Sequence, residues 1–108
     1  MPADTLARLE SVIAERLASG DADTSYVAKL AARGLPKVAQ KLGEEAVESV
    51  IAALGESDAD LVGEAADLIF HLTLLLRMRG LGWADVAAEL DRRHGMSGIA
   101  EKAARNRE

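Results

Sequence analysis

The chain has 108 residues, 49% of them hydrophobic, which is enough to bury a core as one domain spanning residues 1–108. Its formal net charge of −5 argues against a nucleic-acid partner, and the absence of cysteine excludes disulfides and thiolate metal sites. The N-terminal residues lack the pattern of a signal peptide, and no run of about eighteen apolar residues occurs. We therefore expect a soluble, cytoplasmic protein with no membrane partner.

Two helices are predicted in the first third of the chain. Residues 6–17 carry apolar side chains at helical spacing, and Ser25 is suited to cap a short second helix over residues 26–33. Lys29 and Arg33 lie four residues apart on this second helix. Their spacing is equally consistent with surface charge and with contact to phosphate.

A third helix is predicted over residues 35–54. Pro36 suits its first turn, because an N–H there has no helical partner, and Gly55 suits its end. At about 100° per residue, apolar side chains fall on one side of the helix and charged side chains on the other. The charged side chains are Lys37, Lys41, Glu44, Glu45 and Glu48. A solvated surface is one interpretation of this face, but Glu44 and Glu48 lie four residues apart and repel each other.

A fourth helix is predicted over residues 58–79, with Ser57 as its cap and Gly80 at its end. Its side chains are apolar nearly all round between Leu61 and Met78, which predicts burial at the centre of a helical bundle. A polar stripe nevertheless runs along it, within about 60° by helical spacing. The stripe consists of Asp60, Glu64, Asp67 and His71.

Carboxylates in such apolar surroundings need a cation nearby. Buried ionised carboxylates each cost several kcal/mol unless they are paired, and only two lysines face them from the third helix. Oxygen ligands without a nearby cysteine favour a hard divalent cation, Mg²⁺ or Mn²⁺. His71 has two interpretations: it contacts substrate or orients a ligand, or it is a buried, hydrogen-bonded histidine with no such role.

In the remainder of the chain, the spacing of apolar residues predicts one more amphipathic helix over residues 83–94, followed by a polar tail. We expect one short helix in the tail and a frayed end from about residue 104. There is no strand pattern. The fold class predicted is all-α, a bundle of four to five helices.

The carboxylate spacing resembles the signature of a known superfamily. Glu44-Glu45-x-x-Glu48 followed by Glu64-x-x-Asp67 is similar to the E-E-x-x-E…E-x-x-D pattern of the all-α nucleoside-triphosphate pyrophosphohydrolases, the MazG-like superfamily. Flanking segments narrow the resemblance to the phosphoribosyl-ATP pyrophosphohydrolases of histidine biosynthesis. These segments are residues 25–30, 37–45, 66–72 and 97–103, and the match extends over about residues 6–105.

This resemblance implies Mg²⁺-dependent hydrolysis of phosphoribosyl-ATP to phosphoribosyl-AMP and pyrophosphate, the second step of histidine biosynthesis. The metal ligands that it implies are Glu45, Glu48, Glu64 and Asp67. Glu44 is implied as a further catalytic residue, either in a second ligand set or as the base that orients water. Lys37 and Lys41 are suited to meet phosphate oxygens as point charges, and His71 is a candidate substrate contact.

Two alternative functions remain open at this point. The carboxylates alone also fit a general nucleoside-triphosphate pyrophosphohydrolase, and polar stripes can instead set the register of a non-enzymatic helical dimerisation module. A chain this short does not cover a helix that is apolar all round. We therefore expect a homodimer, as the resemblance also implies.

Overall fold

The computed structural model describes residues 3–94 together with Gly98, Lys102, Ala103 and Arg105. The described helices are α1 (Ala3–Ser19), α2 (Tyr26–Ala32), α3 (Leu35–Gly55), α4 (Asp58–Met78) and α5 (Trp83–Arg92). No strand occurs among the described residues, so the predicted all-α class with four to five helices is confirmed. Most of the predicted tail, including most of residues 97–103, lies outside the described residues. None of the helices described is long and apolar enough to cross a membrane.

The helix boundaries follow from local capping interactions. The Ser25 hydroxyl accepts a hydrogen bond from the backbone N–H of Ala28 at 3.2 Å, which begins α2 as predicted. The Ser57 hydroxyl accepts one from the N–H of Asp60 at 3.1 Å, and the Asp60 carboxylate accepts one in return from the N–H of Ser57 at 3.4 Å. At the other end of α4, Gly80 takes a φ of +75°, which favours glycine.

The core is formed by side chains from the first four helices. Its fully or nearly fully buried members are Ile13, Val27, Leu30, Val38 and Leu74. Helices α3 and α4 share the most extensive contact, as expected for two long helices joined by only two residues, and α1 packs on α4. Helix α2 packs on α1 and α3, so the short helix lies beside the start of α3.

As expected for a chain this short, the single chain does not bury α4 along its whole apolar length. Only His71, Thr73 and Leu74 of this helix are buried, whereas Val62 is 68% exposed. The reason is that the elements which pack on α4 cover its central and C-terminal turns. Its first turns keep one apolar side open to solvent.

Helix α3 departs further from the amphipathic rule. Its buried residues are Val38, Glu45 and Ala52, so one member of the charged face is directed into the protein. The solvated-surface interpretation is therefore wrong for Glu45. Together with Val62 of α4, the exposed apolar side chains of α3 form what we call the apolar patch. The patch consists of Val47, Val50, Ile51, Leu54 and Val62.

Helix α5 is attached through Trp83. Its backbone N–H donates to the Glu10 carboxylate at 2.8 Å, and its indole Nε1–H donates to the Thr73 hydroxyl at 3.0 Å. The same Thr73 hydroxyl donates to the Ile69 carbonyl at 2.7 Å, and the Thr73 side chain is fully buried. The Thr73 hydroxyl thus accepts the hydrogen bond of the Trp83 indole N–H, and its own hydrogen is donated to the Ile69 carbonyl.

Replacing Thr73 with valine tests this attachment at nearly constant shape. Thr73→Val leaves the Trp83 Nε1–H without its acceptor, so we expect the free energy of unfolding to fall by about 1–3 kcal/mol in urea denaturation. Thr73→Ser keeps the hydroxyl, so its free energy of unfolding should fall by less, by the amount expected for the loss of one buried methyl group. Equal stability of Thr73→Val and the parent would contradict a role for this hydrogen bond.

Candidate active site

Three glutamates from two helices converge between α3 and α4. Glu45 and Glu48 lie one helical turn apart on α3, and α4 brings Glu64 to them, so that one carboxylate oxygen from each lies within 4.8 Å of the others. We call these three residues the acidic cluster. Glu45 is buried, Glu64 is half-buried and Glu48 is exposed, so the cluster opens to solvent on one side.

The acidic cluster is short of positive charge. The Oε2 atoms of Glu45 and Glu64 are buried without a hydrogen-bond partner, and no cation in the described part of the chain forms an ion pair with the cluster. Desolvation, followed by the hydrogen-bonding and charge effects of Glu48 and Glu45, raises the pKa of Glu64 from 4.5 to about 7. Buried carboxylate oxygens without partners fit a hard divalent cation, which binds oxygen ligands and supplies the missing charge.

Asp67, the fourth predicted ligand, is not brought into the acidic cluster. Its side chain is exposed, and it lines a mostly apolar cavity of about 390 Å³ between α1 and α4, where Leu6, Leu9 and Phe70 also contribute walls. It lies one turn beyond Glu64 on α4. Asp67 as a metal ligand therefore stays a prediction.

Glu44 lies beside the acidic cluster in a different environment. Its carboxylate accepts a hydrogen bond from Gln40 Nε2 at 3.1 Å and lies 3.6 Å from Lys41 Nζ. The hydrogen bond from Gln40, together with the charges of Lys41 and Lys37, lowers the pKa of Glu44. Glu44 is thus an ionised carboxylate on the exposed side of α3.

His71 is buried and fully hydrogen-bonded. Its Nδ1 atom lies 2.7 Å from the Asp67 carbonyl oxygen, which only accepts, so Nδ1 carries the hydrogen. Its Nε2 atom lies 3.2 Å from the hydroxyl of Tyr26. The rings of Tyr26 and Phe70 both meet it edge-on. These contacts favour the buried, hydrogen-bonded interpretation, and they connect His71 to a residue of the neighbouring cavity.

That neighbouring cavity, of about 320 Å³, is formed by α2 and α3. Its lining residues are Tyr26, Lys29, Leu30, Arg33, Lys37, Lys41 and Glu44. We call it the cation cavity, because four cationic side chains face a single carboxylate. It contains the two predicted lysines. It also contains Lys29 and Arg33, whose role the sequence left open, and Tyr26, which sequence reasoning missed. The signal for the cations was the four-residue spacing on each of the two helices.

The sequence matches one protein family over most of its length. The family model of phosphoribosyl-ATP pyrophosphohydrolase matches residues 6–94, which include the acidic cluster and the cation cavity. The chain belongs to the phosphoribosyl-ATP pyrophosphohydrolase family. This confirms the family resemblance deduced from the carboxylate spacing and its flanking segments.

Relatives that share this family name match nearly the full chain. The phosphoribosyl-ATP pyrophosphatase of Sphingopyxis alaskensis is 67% identical over 102 residues, which are 94% of each chain. Those of Erythrobacter litoralis and Zymomonas mobilis are 62% and 57% identical, covering 94% and 97% of this chain and 97% of each relative. The match therefore extends over nearly the whole length of this chain and of each relative.

The raised pKa of Glu64 predicts how metal-free stability depends on pH. The folded form holds a proton on Glu64 up to about pH 7, whereas the unfolded chain releases it near 4.5, so folding binds protons in this interval. Stability in EDTA should therefore fall as pH rises from about 4.5 to about 7. Glu64→Gln should flatten that slope in urea unfolding curves.

Glu89→Gln is the matched control. Hydrogen bonds from Arg92 and Arg93 lower the pKa of Glu89 to about 2, so its contribution to stability is lost only as pH falls below 4.5. The slope between pH 5 and pH 7 should therefore survive in this variant. A parent protein whose stability is flat across that interval would contradict the desolvated state of Glu64.

Proposed function

We propose that this chain hydrolyses phosphoribosyl-ATP to phosphoribosyl-AMP and pyrophosphate, a step of histidine biosynthesis, with the help of a divalent cation. The observation that carries the proposal is the acidic cluster, whose buried oxygens have no partner, beside a cavity lined by four cations. Relatives named phosphoribosyl-ATP pyrophosphatase, at 57–67% identity over nearly the full chain, support the choice of substrate.

The acidic cluster is suited to hold Mg²⁺, and Mn²⁺ has compatible ligand preferences. Glu45, Glu48 and Glu64 would be its ligands, and Asp67 is a predicted fourth. When bound, such an ion supplies positive charge to phosphate oxygens and acidity to water. An ion that binds only the folded form at a hundredfold excess over its Kd would stabilise the protein by roughly 2.7 kcal/mol.

Lys37 and Lys41 of α3 place local positive charge on a protein whose net charge is negative. A chain with a net charge of −5 repels a polyphosphate, and Lys37 and Lys41 offer two point charges where the substrate would approach the acidic cluster. Lys41 is held at the carboxylate side of the cavity by its contact with Glu44. It is therefore the lysine that we assign to the reacting polyphosphate.

Glu44 is the candidate for orienting the attacking water. It is ionised, it accepts a hydrogen bond from Gln40, and it lines the cation cavity on the helix that carries Glu45 and Glu48. An ionised carboxylate in this position accepts a hydrogen bond from water and directs the water oxygen toward phosphorus. His71 contributes by holding Tyr26 and does not itself need to touch substrate.

The activity assay separates this proposal from the alternatives. With Mg²⁺, the parent should hydrolyse phosphoribosyl-ATP with a higher kcat/KM than ATP. Glu48→Gln removes a ligand charge and should lower kcat by on the order of a hundredfold or more, as expected when transition-state charge stabilisation is lost. Glu15→Gln, an exposed carboxylate on α1, should behave as the parent.

Each of the other possible outcomes would favour a different function for this protein. An equal or higher kcat/KM for ATP would favour a general nucleoside-triphosphate pyrophosphohydrolase. A parent without divalent-dependent turnover of either nucleotide, and without heat of Mg²⁺ binding in calorimetry, would favour the non-enzymatic helical module.

We also propose that the chain acts as a homodimer through the apolar patch. The patch exposes five aliphatic side chains of α3 and α4, two helices that pack on each other, and soluble monomers rarely leave a large apolar surface open. A second copy would cover it by the same patch, as a twofold axis requires.

A charge in the centre of the patch tests the dimer. Val50 is 58% exposed in the single chain, so Val50→Lys costs little within it, yet a buried lysine would prevent close packing of two copies. Light scattering should give a dimeric mass for the parent and half that mass for Val50→Lys. Leu90→Lys, at a 60% exposed position on α5, should leave the dimer intact. A fully active monomeric parent at micromolar concentration would contradict the proposal.

A further inference from the structure

The four cations of the cation cavity are not equivalent. Lys41 is paired with Glu44, whereas Lys29, Arg33 and Lys37 form no ion pair with any residue that the structure describes. Lys29 lies in α2 and Arg33 is the C-terminal cap of that helix, one turn later, so the two side chains lie on the same side of α2. The cavity therefore has one end that is purely cationic and another that ends in a carboxylate.

The purely cationic end is separated from the acidic cluster along α3. Lys37 precedes Glu45 by eight residues, which corresponds to about 12 Å along a helix axis. This separation exceeds the span of a single phosphate group. A phosphate group held by Lys29, Arg33 and Lys37 is thus a different phosphate group from the one that a cation in the acidic cluster would hold.

The hydrogen bond of the Tyr26 hydroxyl restricts which groups of a ligand can bind beside it. Nδ1 of His71 donates to the Asp67 carbonyl, so in the neutral ring Nε2 accepts the hydroxyl proton of Tyr26. The tyrosine oxygen is then left with lone pairs only. It can accept a hydrogen bond from a sugar hydroxyl, but it repels a phosphate oxygen. A ligand of this cavity should therefore carry a hydroxyl donor beside its phosphate.

A phosphoribosyl group has both features. We propose that the cation cavity binds the phosphoribosyl end of the substrate, with its phosphate at Lys29, Arg33 and Lys37 and a ribose hydroxyl at Tyr26. This inference rests on the proposed function, in which the triphosphate end lies at the acidic cluster. It assigns substrate selection to α2, because ATP lacks the additional phosphate that the phosphoribosyl group carries. In this scheme His71 is a positioning residue, which acts through the hydroxyl of Tyr26.

Binding of ribose 5-phosphate tests the cavity without turnover. In EDTA, calorimetry of the full-length parent with ribose 5-phosphate should give binding that Lys29→Met and Arg33→Gln each weaken by about tenfold, the effect of one charged contact. Arg79→Gln, an exposed arginine at the end of α4, is the matched control and should bind as the parent does. Glu48→Gln should also bind as the parent does, since the acidic cluster is not involved.

Tyr26 and His71 are tested by the difference between two ligands. Tyr26→Phe should weaken ribose 5-phosphate binding while leaving the binding of inorganic phosphate unchanged, because only the sugar hydroxyl needs the tyrosine oxygen. His71→Gln should have the same selective effect, which a general loss of packing would not produce. Equal weakening of both ligands by Tyr26→Phe would remove the ribose contact from the proposal.

Kinetics separate failure of this inference from failure of the proposed function. In the parent assay, Lys29→Met should raise KM for phosphoribosyl-ATP by about tenfold with little change in kcat, whereas Lys41→Met should lower kcat as well. If the parent hydrolyses phosphoribosyl-ATP but shows no ribose 5-phosphate binding at millimolar concentration, or if Lys29→Met changes neither measurement, the inference is wrong and the function stands. If the parent does not hydrolyse phosphoribosyl-ATP, the proposed function itself is wrong.

Discussion

The mutual repulsion of Glu45, Glu48 and Glu64 is the constraint on which the rest of the structure depends. Three carboxylates held within 4.8 Å of one another without a cation oppose the packing of α3 on α4. That packing is maintained by features at a distance from the site: the capping box at Ser57 and the core side chains of Val38 and Leu74. The scaffold therefore stabilises an arrangement that the site itself destabilises in the absence of metal.

The order of charges along α3 shows the same conflict. Lys37 lies in the first turn, where the helix dipole disfavours a cation, whereas Glu44, Glu45 and Glu48 lie in the middle of the helix, where the dipole has little effect. In pairs four residues apart, a glutamate before a lysine stabilises a helix better than the reverse order found at Lys41 and Glu45. The charge order along α3 is therefore not the one that best stabilises an isolated helix. The observed order instead separates a cationic end, reinforced by Lys29 and Arg33 of α2, from an acidic end.

Local signals allowed the helix boundaries to be predicted, because each depends on residues close in sequence. Ser25, Ser57 and Gly80 act on the backbone within four residues of themselves, so their effect needs no knowledge of the fold. The acidic cluster was also predictable in part, since the spacing of Glu45 and Glu48 fixes them on one face. The prediction that Glu64 joins them came from the family resemblance, because the sequence of one helix does not determine which residues of another helix it contacts.

The buried face of α3 could not be predicted from one chain. The amphipathic rule assumes that the apolar side meets the core, yet Glu45 is 8% exposed and Val47 is 58% exposed. The rule fails for α3 because the side that meets α4 carries Glu45, whereas Val47 lies on a side that the rest of the chain does not cover. The position of the Asp67 carboxylate was equally out of reach, because helical spacing places the Cα atom but not the side chain relative to α1.

The acidic cluster and the apolar patch lie next to each other on α3. Glu44 and Glu48 border a shallow cavity whose other walls include Val47 and Ile51 of the apolar patch. A second copy seated on that patch would cover the exposed side of Glu48 and thereby desolvate the acidic cluster further. Desolvation strengthens the attraction between carboxylates and a divalent cation, and it increases their repulsion when the cation is absent. A dimer of this kind would therefore make the acidic cluster more dependent on its ion than the single chain is, so that metal binding and assembly stabilise each other.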